Sequence, residues 1–307
     1  MTRVIAAIDN SAAASPVLEA ACAIADLFDW ELEAVHVREG AFPMASAAAV
    51  AAGVPLNASV GATTDVLREA MLPPDVAALV IGARRTPAGR RPVGSTAIEL
   101  ITSVPKRVVV VPPDTRLPAT IDSILVPLDA SPATAAALAE TIELARVVDV
   151  AVIVLHVREE ATLHPFSDQL HHETAAWAEE FVARYCPCPL EEVDLHLRVG
   201  VPREEVARVV DETGADLIVL GWSQQLEPGR AEVVRETLTR AQVPVMLLPV
   251  ALTGESAGRR GRATGAYPPP PPRCRRPARS LAAAGETTER PQGWHPMYGG
   301  GCLVWLL

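Results

Sequence analysis

The sequence predicts an α/β fold of two tandem doubly wound domains, each a five-stranded parallel sheet with helices on both faces. Two observations carry this. Short apolar runs alternate with helical stretches, the pattern of βαβ units whose strands are buried on both sides. The chain also repeats itself. Val-Ile-Ala-Ala-Ile-Asp-Asn-Ser at 4–11 matches Ile-Leu-Val-Pro-Leu-Asp-Ala-Ser at 124–131, and His-Val-Arg-Glu recurs at 36–39 and 156–159, both at an offset of 120 residues. Gly61 and Gly82 are answered by Gly200 and Gly221 at an offset of 139, and Pro112 by Pro249 at 137. The copies therefore differ by loop insertions and deletions, as in a duplicated domain.

In order, the first copy reads as strands over 4–8, 32–37, 55–60, 77–81 and 107–111, each an apolar run bounded by polar or turn residues. Helices fill the intervals. The clearest covers 12–28, while the alanine-rich 43–52 is short and weakly patterned. The second copy repeats the plan, with strands near 124–127, 150–156, 193–199, 217–220 and 245–248. Its helix starts are better signalled: Ser131-Pro132 and Val201-Pro202 put proline at the first helical position, where no N–H is needed. Gly214 closes the helix opened at Pro202. With 113–120 as a proline-punctuated linker, the expected limits are a first domain at 1–112 and a second at 121–250.

Composition bounds the rest. The 307 residues are 49% hydrophobic and 21% charged, enough apolar content for two ordinary soluble domains. The net charge of -10 hides an asymmetry, because the segment 251–307 holds eight Arg against three Glu. The acidic remainder is a poor general partner for nucleic acid. That last segment, rich in Gly, Arg and Pro with five consecutive prolines at 268–272, has no apolar periodicity and is expected to be a disordered tail with a polyproline II stretch. Five cysteines, with Cys186 and Cys188 the one close pair, read as reduced thiols. A strand begins almost at once, and no uncharged apolar stretch is long enough to cross a bilayer, so the expectation is a cytoplasmic protein with no membrane and no nucleic-acid partner.

One stretch carries candidate chemistry: Val-Ile-Gly-Ala-Arg-Arg-Thr-Pro-Ala-Gly-Arg-Arg-Pro-Val-Gly-Ser-Thr at 80–96. It leaves a buried strand at Gly82 and enters a helix at Gly94-Ser95-Thr96. Glycine lets a ligand approach the backbone, and a helix start offers free N–H groups and the positive end of a dipole. Arg84, Arg85, Arg90 and Arg91 add positive charge. This is the composition of a phosphate cradle. A second reading stands beside it: Thr96 and Glu99 have the spacing of a capping box, which accounts for polar residues without any ligand.

Two tandem five-strand units, each opening on a strand that ends in Asp then Ser, with a Gly…Gly-Ser-Thr loop followed by Pro-Lys-Arg-Val-Val-Val-Val-Pro, resemble the universal stress protein family in its tandem form. The resemblance covers residues 1–250. It implies strand order 3-2-1-4-5, a ligand at the carboxyl ends of strands 1 and 4, where the switch-point rule also puts one, and pairing through the last strands. A homodimer or an internal pseudo-dimer satisfies that pairing, the latter through 108–111 against 245–248. ATP-binding members carry G-x2-G-x9-G-(S/T) after strand 4. The first copy keeps Gly82 and Gly94-Ser95 but has Arg85 at the second glycine and a loop one residue shorter. The second copy keeps Gly221 alone, with Gln224 at the second position and Ala231-Glu232 at the last, where a carboxylate repels phosphate.

The resemblance thus implies one ATP, in the first domain, at Asp9, backbone around Val37, Gly82, Gly94, Ser95 and Thr96, with Arg84 and Arg85 balancing charge. Asp9 would meet the adenosine end; alternatively Asp9 and its counterpart Asp129 cap the helix approach. Catalysis has no warrant, since no G-x4-G-K-(S/T) occurs and the Gly-Glu-Ser-Ala-Gly at 254–258 falls in the segment without apolar periodicity, not between a strand and a helix. His164, Asp168, His171 and His172 could share a helix face but read as a polar helix start, so no metal is expected. His36 and His156 end equivalent strands and read as structural. The expected function is a stress sensor or regulator that binds an adenine nucleotide. The alternative is a tandem protein-interaction module with two degenerate pockets.

Overall fold

Each half threads five parallel strands through helices that cover both faces. In the first half these are β1 (Arg3–Ala7), α1 (Ala14–Phe28), β2 (Glu31–Val37), α2 (Pro43–Ala52), β3 (Leu56–Ser59), α3 (Thr63–Ala70), β4 (Val76–Gly82), α4 (Ser95–Ser103) and β5 (Arg107–Val111). In the second they are β6 (Ser123–Pro127), α5 (Pro132–Val147), β7 (Ala151–Arg158), α6 (Leu170–Tyr185), β8 (Asp194–Val199), α7 (Pro202–Thr213), β9 (Leu217–Trp222), α8 (Glu232–Arg240) and β10 (Val245–Pro249). The computed structural model describes residues 1–250 except 39, 84–92, 114, 116–119, 159–169 and 227–230, with the backbone alone at 170–175. Arg84, Arg85, Arg90, Arg91, the side chains of the His164, Asp168, His171 and His172 group, and the segment 251–307 lie outside the described residues.

The strands form one ten-stranded sheet in the order β3-β2-β1-β4-β5-β10-β9-β6-β7-β8, so each half has the order 3-2-1-4-5 and the halves meet edge to edge. Every neighbouring pair is parallel except the seam, where β10 runs antiparallel to β5 with Val245 opposite Val110, Met246 opposite Val109 and Leu247 opposite Val108. This is the internal one of the two pairings that the family resemblance implies. Period-two alternation sends Val109 and Val111 into one core with α1 and α5, and Val108 and Val110 into the opposite core with α4 and α8. Both cores run through the seam, which leaves no boundary of solvent between the halves. An ion pair, Arg107 with Glu140 at 2.7 Å, spans it as well.

Helix ends follow local chemistry. The Ser131 hydroxyl accepts from Thr134 N–H with Pro132 at the first helical position, as expected. Gly214 closes α7 in the left-handed region, φ 72°. Helix α1 starts two residues later than its apolar pattern suggests, because the Ser11 hydroxyl accepts the Ala13 N–H and holds 11–13 as a turn.

Cys22, Cys186 and Cys188 are free thiols. Burial, joined by the neighbouring Cys188 sulfur, pushes the Cys186 thiol up to about 12. At pH 8 only about one Cys186 in ten thousand is then the reactive thiolate. Iodoacetamide at pH 8, followed by peptide mass spectrometry, is expected to leave Cys186 unmodified in the native chain and to alkylate it fully in denaturant. Rapid native alkylation would contradict this burial. No helix among the described residues is long and apolar enough to cross a membrane.

Candidate functional site

In each half the strand order reverses beside the first strand, so the connections after strands 1 and 4 leave on opposite faces and open a crevice at the carboxyl edge. In the first half this crevice is a cleft of about 670 Å³. The β1–α1 turn, the end of β2 and Gly40-Ala41 form one side. The end of β4 and the start of α4 form the other, and Thr63 and Leu67 of α3 wall it further. Asp9, Val37, Gly82, Gly94, Ser95 and Thr96, which are dispersed in sequence, all reach this one cleft. Arg84 and Arg85 lie outside the described residues.

The start of α4 corrects one expectation. The N-cap is Gly94, in extended backbone with its N–H donating to Ala83 O at 2.9 Å, and it has no side chain to cap the helix. Thr96 is already inside the first turn, and Glu99 makes an ion pair with Arg68 at 3.7 Å instead of folding back. The capping box therefore does not form. The first intrahelical donor is Ile98, to Gly94 O at 3.0 Å, so the N–H groups of Ser95, Thr96 and Ala97 stand at the cleft wall with no acceptor in the helix. Such a terminus favours an anion.

Across the cleft, Asp9 Oδ1 accepts from the Ser11 hydroxyl at 2.5 Å, which shapes the β1–α1 turn without making Asp9 the cap of α1. No local sequence pattern marks Asn10. Its Oδ1 accepts from Met44 and Ala45 N–H at 2.8 and 3.2 Å, and its Nδ2 donates to Ala41 O at 3.3 Å, so it caps α2 from a loop over thirty residues upstream. His36 lines the cleft, is buried, and sits 2.9 Å from Ile8 O through Nδ1. A carbonyl only accepts, so Nδ1 carries the proton. His156 repeats the contact with Leu128 O at 2.8 Å, as a fastening between the first two strands of each half requires.

The second half builds its crevice differently. A Cβ at Gly221 would meet Thr134 Cγ2 and Val250 Cγ2, each at 3.1 Å. The repeat makes Thr134 the counterpart of Ala14, and buried Trp222 that of Ala83, so larger side chains stand where the first half has small ones. Helix α8 starts on Ala231 in the left-handed region, and Glu232 pairs with Arg203 at 2.8 Å. An acid in that first turn serves the helix and opposes a phosphate.

The profile of the universal stress protein family matches residues 120–249. The match covers the second half of the chain. Solved structures carry the universal stress protein fold across both halves. A putative universal stress protein of Pseudomonas aeruginosa UCBPP-PA14 superposes with a TM-score of 0.62 at 14% identity, over 81% of this chain and 94% of that one. A functionally unknown protein of Pseudomonas aeruginosa PAO1 has the same TM-score and identity over 81% and 93%. A universal stress protein of Archaeoglobus fulgidus DSM 4304 reaches 0.56 at 17% identity over 81% and 97%. No curated protein sequence matches the chain.

Proposed function

We propose that the chain is a tandem universal stress protein that binds one adenine nucleotide, ATP, in the cleft of its first half and acts as a sensor or regulator of stress. The observation that carries the reading is the start of α4: three backbone N–H groups without helical acceptors, opening on a cleft at the switch point of the sheet. The residues fit the ligand. A cleft of about 670 Å³ falls within the roughly 300–1,000 Å³ typical of small-molecule sites. Gly82, Gly94, Ser95 and Thr96 form the phosphate end and Asp9 and the backbone at Val37 the adenosine end; Arg84 and Arg85, outside the described residues, contribute positive charge to balance the phosphates. Among the described residues of the cleft, His36 is the imidazole, and its Nδ1–H fastens the second strand to Ile8 O. The domain limits we propose are 1–112 and 121–250, joined as an internal pseudo-dimer through β5 and β10, in a cytoplasmic chain.

Titration calorimetry of the full chain with ATP and ADP tests this. The expected result is one site per chain. No heat of binding from a chain shown to be folded by circular dichroism overturns the reading, and two equivalent sites overturn its restriction to the first half.

A further inference from the structure

Gln224 lies just beyond β9 with φ 58°, a backbone conformation that residues other than Gly, Asn and Asp seldom adopt. Its side chain leaves the second half and enters the first. There Nε2 donates to Val104 O at 2.7 Å and to Ile101 O at 3.2 Å. These carbonyls belong to the closing turn of α4, the helix whose opposite end walls the cleft. A helix leaves its last carbonyls without intrahelical partners, and one carboxamide carries the two N–H groups that two carbonyls need. Helix α4 has no glycine turn of its own to do this, because its C-cap Val104 is extended.

We propose that Gln224 is a positioning residue for the first-half site: it anchors α4 from the second half, so that the N–H groups at the other end of the helix hold their place in the cleft. The helix has nine residues and no Gly or Pro within it, so a shift at one end is passed to the other. Occupancy of the first half and the joint between the halves are thereby coupled. This role rests on the reading of the cleft as a nucleotide site, whereas the anchor itself does not.

The test uses the full chain with Gln224→Met, which keeps length and backbone strain but removes both donors, and Gln224→Lys, which restores an N–H donor at similar reach. Hydrogen–deuterium exchange without ligand is read over 95–104, and the ATP dissociation constant is read by calorimetry. Gln224→Met is expected to speed exchange in that segment about tenfold and to weaken ATP about tenfold, as loss of a hydrogen-bonded anchor implies. Gln224→Lys is expected to recover most of both. Unchanged exchange in Gln224→Met overturns the anchor, and faster exchange with unchanged affinity overturns the positioning role. A wild-type chain that binds no ATP overturns the positioning role too, while the exchange response alone then decides the anchor.

Discussion

Val109→Asp is expected to unfold both halves together. Val109 is fully buried in β5, opposite Met246 across the seam and beside Val80 of β4, and its side chain lies in the core that α1 and α5 share. Losing that apolar contact costs about 1.5–3 kcal/mol, and a carboxylate left without a partner there costs several more. A total above about 4 kcal/mol is a large part of the stability of an ordinary folded chain. For a unit of this size that corresponds to a fall in Tm of about 10 °C or more. Since both cores pass through the seam, the melt followed by circular dichroism should remain a single transition. Val109→Ala, which removes volume without adding charge, should cost only about 1–2 kcal/mol. Two separated transitions, one of them at the wild-type temperature, would show that the halves are independent and the seam superficial.

The inner strands are legible because burial on both faces turns each into an apolar run, whereas the outer strands β3 and β8 are only partly buried and carry polar residues. Their limits moved by a residue or two where backbone pairing outlasts apolarity. Arg3 joins β1 because its backbone pairs with Glu31 and Val76 while its guanidinium reaches Glu33 and Asp75. Helix α2 was legible only weakly, and the reason is that its N-terminus is held by Asn10, a residue no local pattern connects to it. The Thr96–Glu99 spacing misled in the opposite way. A local motif was present, but Gly94 starts the helix early and Arg68, arriving from α3, takes up Glu99.

The candidate site was readable as a set of types, glycines and small hydroxyls around a strand-to-helix turn, since that chemistry follows from the backbone. The contribution of α3 was not. Thr63 and Leu67 reach the cleft only because β3 lies on the outer side of β2 and returns the chain over the carboxyl edge. The fate of the second crevice was half legible. Glu232 announces it in sequence, whereas the bulk of Trp222 acquires meaning only once its counterpart Ala83 is seen lining the open cleft of the first half. Gln224 is the extreme case, since its partners lie 123 and 120 residues away.

Ser95→Glu should separate binding from stability by moving them in opposite directions. Ser95 is exposed at the first position of α4, where backbone N–H groups have no acceptor within the helix and the dipole is positive. A glutamate there mirrors Glu232 at the start of α8 and should leave the melting temperature unchanged or raise it, since an acid in a first turn contributes about 0.3–1 kcal/mol. In the cleft the same charge faces the triphosphate. Two unit charges about 4 Å apart repel by about 4 kcal/mol at the effective dielectric of a protein surface, so ATP affinity should fall at least about 100-fold even after screening. Adenosine, which carries no phosphate, should lose little, and salt should recover part of the ATP loss. Calorimetry of ATP and adenosine against wild type and Ser95→Glu, at two salt concentrations with melts alongside, reads all of this. If ATP binds the variant within a few-fold of wild type, the phosphates do not lie at the start of α4. If adenosine is lost as severely as ATP, the glutamate acts by bulk and the anion site is elsewhere in the cleft.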